Sequence, residues 1–75
     1  MSFGVLGFHP GKDELVFEQN IGLSVAELKT ILRWASEDEH IGADFRLSAT
    51  QVLAIEQLEA VVFPRGLDLY LTSYD

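Results

Sequence analysis

The chain spells the same helix-start signal twice. Ser24-Val25-Ala26-Glu27 and Ser48-Ala49-Thr50-Gln51 each set a serine three residues ahead of a Glu or Gln. In such a capping box the hydroxyl and the longer side chain each satisfy a backbone N–H that the first turn leaves orphaned. Leu23 with Leu28, and Leu47 with Val52, take the flanking positions of a hydrophobic staple. After the first box, Val25, Leu28, Ile31, Leu32 and Ala35 keep the three-to-four spacing of one buried helical stripe. The spacing predicts a helix reaching about Ser36. After the second box, Ala54, Ile55, Leu58, Val61 and Val62 are expected to form the buried stripe, with Glu56 and Glu59 facing water. Pro64 and Gly66 then end that helix.

The rest of the chain keeps a different period. Ser2 to His9 carries Phe3, Val5, Leu6 and Phe8 with two glycines, for which close packing of a neighbour or a bulge is the expected reason. Pro10-Gly11-Lys12-Asp13 follows, a cluster suited to a turn. Beyond it Leu15 and Phe17 alternate with Glu14, Val16 and Glu18, the period of a strand with one wetter face. These two runs read as a β-hairpin. Leu67, Leu69 and Leu71 alternate with Asp68, Tyr70 and Thr72 in a last strand ending near Tyr74. The predicted order is β-β-α-α-β, an α+β fold with a three-stranded antiparallel sheet and both helices on one face. The final strand could lie beside either strand of the hairpin. No repeat, low-complexity tract or linker divides the chain, so residues 1–75 read as a single small domain.

Composition narrows the chemistry. Of 75 residues, 48% are hydrophobic, too many for a disordered acidic tail. Twelve acidic against five basic side chains leave a net charge of −7, the wrong sign for binding nucleic acid. There is no cysteine, hence no disulfide, thiolate ligand or thiol nucleophile. No apolar run approaches the roughly 20 residues of a membrane span, and no signal-peptide pattern opens the chain, so the expected place is the cytoplasm.

Catalysis needs convergent groups, and few are on offer. His9 sits beside the turn. His40 lies in the acidic loop Glu37-Asp38-Glu39-His40-Ile41-Gly42-Ala43-Asp44, whose spacing fits neither a calcium loop nor a paired-histidine zinc helix. Ser24 and Ser48 are accounted for by capping, and Gly4, Gly7 and Gly11 form no phosphate cradle. The expectation is a binding protein with no catalytic residue, no cofactor and no metal.

Its surface is more telling. Glu37, Asp38 and Glu39 fall where the first helix should end, beside the negative pole of its dipole, where carboxylates are unfavourable by about 0.3–1 kcal/mol each. A broken local rule draws attention to function. Trp34, just before that run, reads either as cover for a core edge or as an interface anchor. If the leucines of the last strand face the helices, Asp68, Tyr70 and Tyr74 share the opposite, uncovered sheet face. The candidate partner-binding residues are therefore Trp34, Glu37, Asp38, Glu39, Asp44, Asp68, Tyr70 and Tyr74.

Glu14-Leu15-Val16-Phe17-Glu18 after a short turn, the Ser24/Glu27 cap, the acidic interhelix loop, the Leu47–Leu58 helix and the tyrosine-bearing last strand resemble a group of short bacterial proteins. These are similar to the immunity proteins of polymorphic-toxin and contact-dependent growth-inhibition systems. The resemblance spans nearly the whole chain and carries no catalytic motif. It implies a protein that neutralises a cognate toxin domain, a basic nuclease, in a 1:1 complex by complementary charge. The alternative is a regulatory module or one that pairs with itself as a homodimer through exposed strand edges.

Overall fold

The computed structural model describes residues 2–36 and 43–74. Its elements run β1 (Ser2–Phe8), β2 (Leu15–Ile21), α1 (Val25–Leu32), β3 (Phe45–Arg46), α2 (Ala49–Glu59) and β4 (Asp68–Tyr74). The expected α+β architecture is present, but the antiparallel sheet has four strands in the order β2-β1-β4-β3. The additional strand is two residues long and lies between the helices, too short for any period to announce. The last strand settles beside β1, pairing residue for residue from Ser2 opposite Tyr74 to Phe8 opposite Asp68.

Both capping boxes form. Ser24 accepts from the Glu27 N–H at 3.2 Å while Glu27 reaches back to the Ser24 N–H at 3.0 Å. Ser48 and Gln51 repeat the exchange at 3.2 and 2.8 Å. All four staple residues, Leu23, Leu28, Leu47 and Val52, are buried.

The helix ends differ from expectation. The first helix stops at Leu32 rather than near Ser36, because Arg33 turns left-handed (φ 58°) and the Trp34 N–H closes back on the Lys29 carbonyl at 3.1 Å. Its last turn thus carries Lys29, which suits the dipole, and the supposed conflict with an acidic helix end disappears. Ala35 lies beyond the helix and is exposed. The second helix stops at Glu59, with Ala60 left-handed (φ 57°) and the Val61 N–H bonded to the Glu56 carbonyl.

The inward stripe of the second helix also differs. Val52 and Ile55 are buried as expected, but Glu56 is buried with them, whereas Leu58 is 54% and Val62 81% exposed, the reverse of the expectation for those three. Residues 61 and 62 could not continue a helical face once Ala60 had left it. The core unites Phe3 and Val5 of β1, Leu69 and Leu71 of β4, Leu28 of α1, and Val52 and Ile55 of α2. Both helices therefore cover the same face of the sheet.

Candidate protein-binding face

Strand alternation decides which side chains lie opposite the helices. Leu69 and Leu71 point into the core, so Asp68, Tyr70, Thr72 and Tyr74 project from the far side. Cross-strand register places Leu6 opposite Tyr70, Gly4 opposite Thr72 and Phe8 opposite Asp68. On the next strand Glu18 stands opposite Leu6. Arg46 on β3 stands opposite Tyr70. The uncovered face therefore has an apolar centre of Leu6, Phe8 and Tyr70, with the Phe8 and Tyr70 rings edge to face at 5.7 Å.

Carboxylates surround that centre, and each is held. Tyr74 crosses β1 to donate its hydroxyl to Glu18. It can do so because Gly4 lies beneath it: a Cβ there would come within 2.7 Å of the tyrosine ring. Close packing thus explains one of the strand glycines. The other, Gly7, abuts Phe17 and Leu69 on the covered side, where the register with β2 also slips. Thr72 donates to Asp44 at 2.7 Å. Arg46 pairs with Asp68 at 3.0 Å. The hydrogen bond to Glu18, with burial, pushes the Tyr74 hydroxyl up to about 12.

Asp44, Asp68, Tyr70 and Tyr74 of the sequence candidates are accordingly brought together on one face. Trp34 is not among them. It is 6% exposed, with its ring 6.5 Å from Phe3 and 5.2 Å from Phe45, on the covered side of the sheet. The left-handed Arg33 ends the helix just before Trp34, whose side chain packs into the core. Glu37, Asp38 and Glu39 lie outside the described residues, as does His40. Sequence reasoning missed Glu18, Leu6 and Phe8. The alternation of β1 and β2 placed them on strands, but only the register joins them to the tyrosines.

Of the two α2 carboxylates expected to face water, Glu56 turns inward instead, while Glu59 is half-buried. Glu56 is 8% exposed and accepts from the Phe63 N–H at 2.6 Å. Both its oxygens also bind Arg65, at 2.8 and 3.0 Å. The arginine, then the backbone donor, hold its carboxyl below the usual value of 4.5. Glu59 accepts from the Gly22 N–H at 2.7 Å. These two carboxylates fasten the turn after α2 and the turn after β2 and leave little for a partner. A cleft of about 320 Å³ near the start of α2 is edged by Arg46 and Arg65, but each guanidinium is already engaged by a carboxylate.

A family model described as Domain of unknown function (DUF7683) matches residues 5–72, from the middle of β1 to the middle of β4. The chain belongs to the DUF7683 family. No curated protein and no solved structure matches this DUF7683 domain. The match takes in part of β1, all of β2, both helices and most of β4, so Leu6, Phe8, Glu18 and Tyr70 of the uncovered face lie within the family's domain and Gly4 and Tyr74 outside it. Among the described residues no helix is long and apolar enough to cross a membrane.

Proposed function

We propose that this DUF7683 domain is an immunity protein that binds and neutralises a cognate bacterial toxin domain. The observation that carries the reading is the uncovered sheet face, with Phe8 and Tyr70 at its centre and Glu18, Asp44 and Asp68 around them. An aromatic middle within a charged rim is the usual anatomy of a protein interface. Among the described residues Arg46 is the lone cation on that face, and it is paired. The partner it fits is basic. A toxin nuclease has that charge because its substrate is a polyanion.

The size is adequate. A molecule measuring 30 × 25 × 19 Å has a broad side matching the roughly 800 Å² that each partner gives to a standard interface. With a net charge of −7, it should meet a cationic surface quickly, with association approaching about 10⁸–10⁹ M⁻¹s⁻¹ at low salt. The complex is one to one, forms in the cytoplasm and needs neither cofactor nor catalysis by this chain.

The test is co-expression with the toxin-bearing product of the neighbouring gene in a sensitive host. The native chain should restore growth, Tyr70→Ala combined with Asp68→Lys should abolish rescue, and Leu58→Lys on the helix side should keep it. Absence of rescue by the native chain, or equal rescue by both variants, overturns the proposal.

A further inference from the structure

The sheet has two edges, and they are unequal. One is β3, two residues long. The other is β2, seven residues long and paired, among the described residues, to β1 alone. Proteins usually blunt such an edge with lysines, proline or brevity. None of these protects Leu15-Val16-Phe17-Glu18-Gln19-Asn20-Ile21, although its register with β1 slips at Val16. Leu15 and Val16 are moreover 45% and 43% exposed, although both are large and apolar.

Charge and register say what could cover it. The sole charge within β2 is Glu18, at its middle. Symmetric antiparallel pairing with a second copy, using all seven residues, would set Glu18 against its own counterpart. Like charges directly opposite each other destabilise a strand pair. Any other symmetric register sacrifices part of the ladder. The carboxylate is also oriented: Tyr74 donates to its Oε2 from across β1.

We infer that the β2 edge accepts an extended strand of the basic partner, with a Lys or Arg opposite Glu18 and apolar side chains against Leu15 and Val16. This deepens the proposed function and rests on its basic partner. Main-chain bonds along the edge supply affinity, while Glu18 selects the strand and discourages self-pairing. The partner thus engages the sheet by its edge as well as its face.

Two blocked heptapeptides test this, Thr-Val-Thr-Lys-Thr-Val-Thr and the same peptide with Glu at the centre. Titrated into the labelled protein, the Lys peptide should shift amide signals confined to residues 15–21 and bind about tenfold more tightly than the Glu peptide. Glu18→Lys should reverse that order. Leu58→Lys, which adds a positive charge on the exposed helix side away from the edge, should preserve it and so exclude a general effect of added charge. Failure of both peptides to bind, equal binding, shifts centred elsewhere, or no reversal each overturns the inference, as does a native dimer formed through this edge. Loss of toxin rescue on changing Tyr70 and Asp68 would still stand in those cases, so the edge and the face fail separately.

Discussion

The two faces of one sheet use the same residue types to opposite ends. On the helix side carboxylates are consumed by the fold. Glu56 is bound by a backbone N–H and by both terminal nitrogens of a guanidinium, and Glu59 by another backbone N–H. On the open side each carboxylate is held at one oxygen, by a hydroxyl or by one nitrogen of Arg46. A buried carboxylate must have its lone pairs satisfied internally, because water cannot do it. A surface carboxylate held by one bond stays oriented and keeps acceptors for a partner, saving some of the ordering cost of binding. Acidity alone therefore does not mark an interface. What marks it is a carboxylate aimed outward.

The contrast can be broken most forcefully from the covered side. Ile55 is fully buried between helices and sheet, so Ile55→Ala should cost about 2–5 kcal/mol in denaturant unfolding. Tyr70→Ala on the open face should cost far less and act on partner binding instead. Equal losses would mean that the open face is a second core. Next in size is Glu56→Gln, which removes the anchor of Arg65 and weakens that of the Phe63 N–H. Because the carboxyl is held below 4.5, its contribution is present above that pH and is lost as pH falls through the depressed value. The denaturation midpoint of the native protein should therefore drop between about pH 4.5 and the acid limit, while Glu56→Gln starts lower and falls less steeply over that range.

Glu56 also shows where the sequence ceases to be legible. Capping boxes and staples are local devices, and both helix starts appear where they predict. Helix ends here depend on Arg33 and Ala60 turning left-handed, a conformation that residue type disfavours by about 1–2 kcal/mol and hence does not advertise. A second helix carried on to Val62 puts Ala54, Ile55, Leu58, Val61 and Val62 on its buried side, right for Ile55 and wrong for Leu58 and Val62, and turns Glu56 to water. The partners that make burial of Glu56 tolerable, Phe63 and Arg65, come after the helix and carry no pattern. On the open face, Asp68, Tyr70 and Tyr74 were readable because alternation around the leucines suffices. Glu18 was not, since its place beside Tyr74 depends on a pairing across three strands.

The smaller predictions sharpen the open side. Gly4→Ala would push a methyl to 2.7 Å from the Tyr74 ring and 3.1 Å from the Gln19 carbonyl. The tyrosine must swing away, so the change should cost about 1–2 kcal/mol and bring the hydroxyl pKa down from about 12. Spectrophotometric titration of the two tyrosines would show it. Were the titration unchanged, the glycine would be needed for something other than clearance of the ring.

Tyr74→Phe isolates the hydrogen bond itself and should cost about 1 kcal/mol at neutral pH. Its pH dependence has a definite sign. A pKa raised in the folded state stabilises fully below the ordinary value of 10 and loses that contribution as pH rises toward about 12. The gap between native protein and Tyr74→Phe should thus be constant up to pH 10 and close above it. No gap at neutral pH would mean that the ring, rather than the hydroxyl's bond to Glu18, holds β4 across β1. Glu18 would then be free to turn, and the outward-aimed carboxylate that separates the open face from the covered one would lose its physical basis.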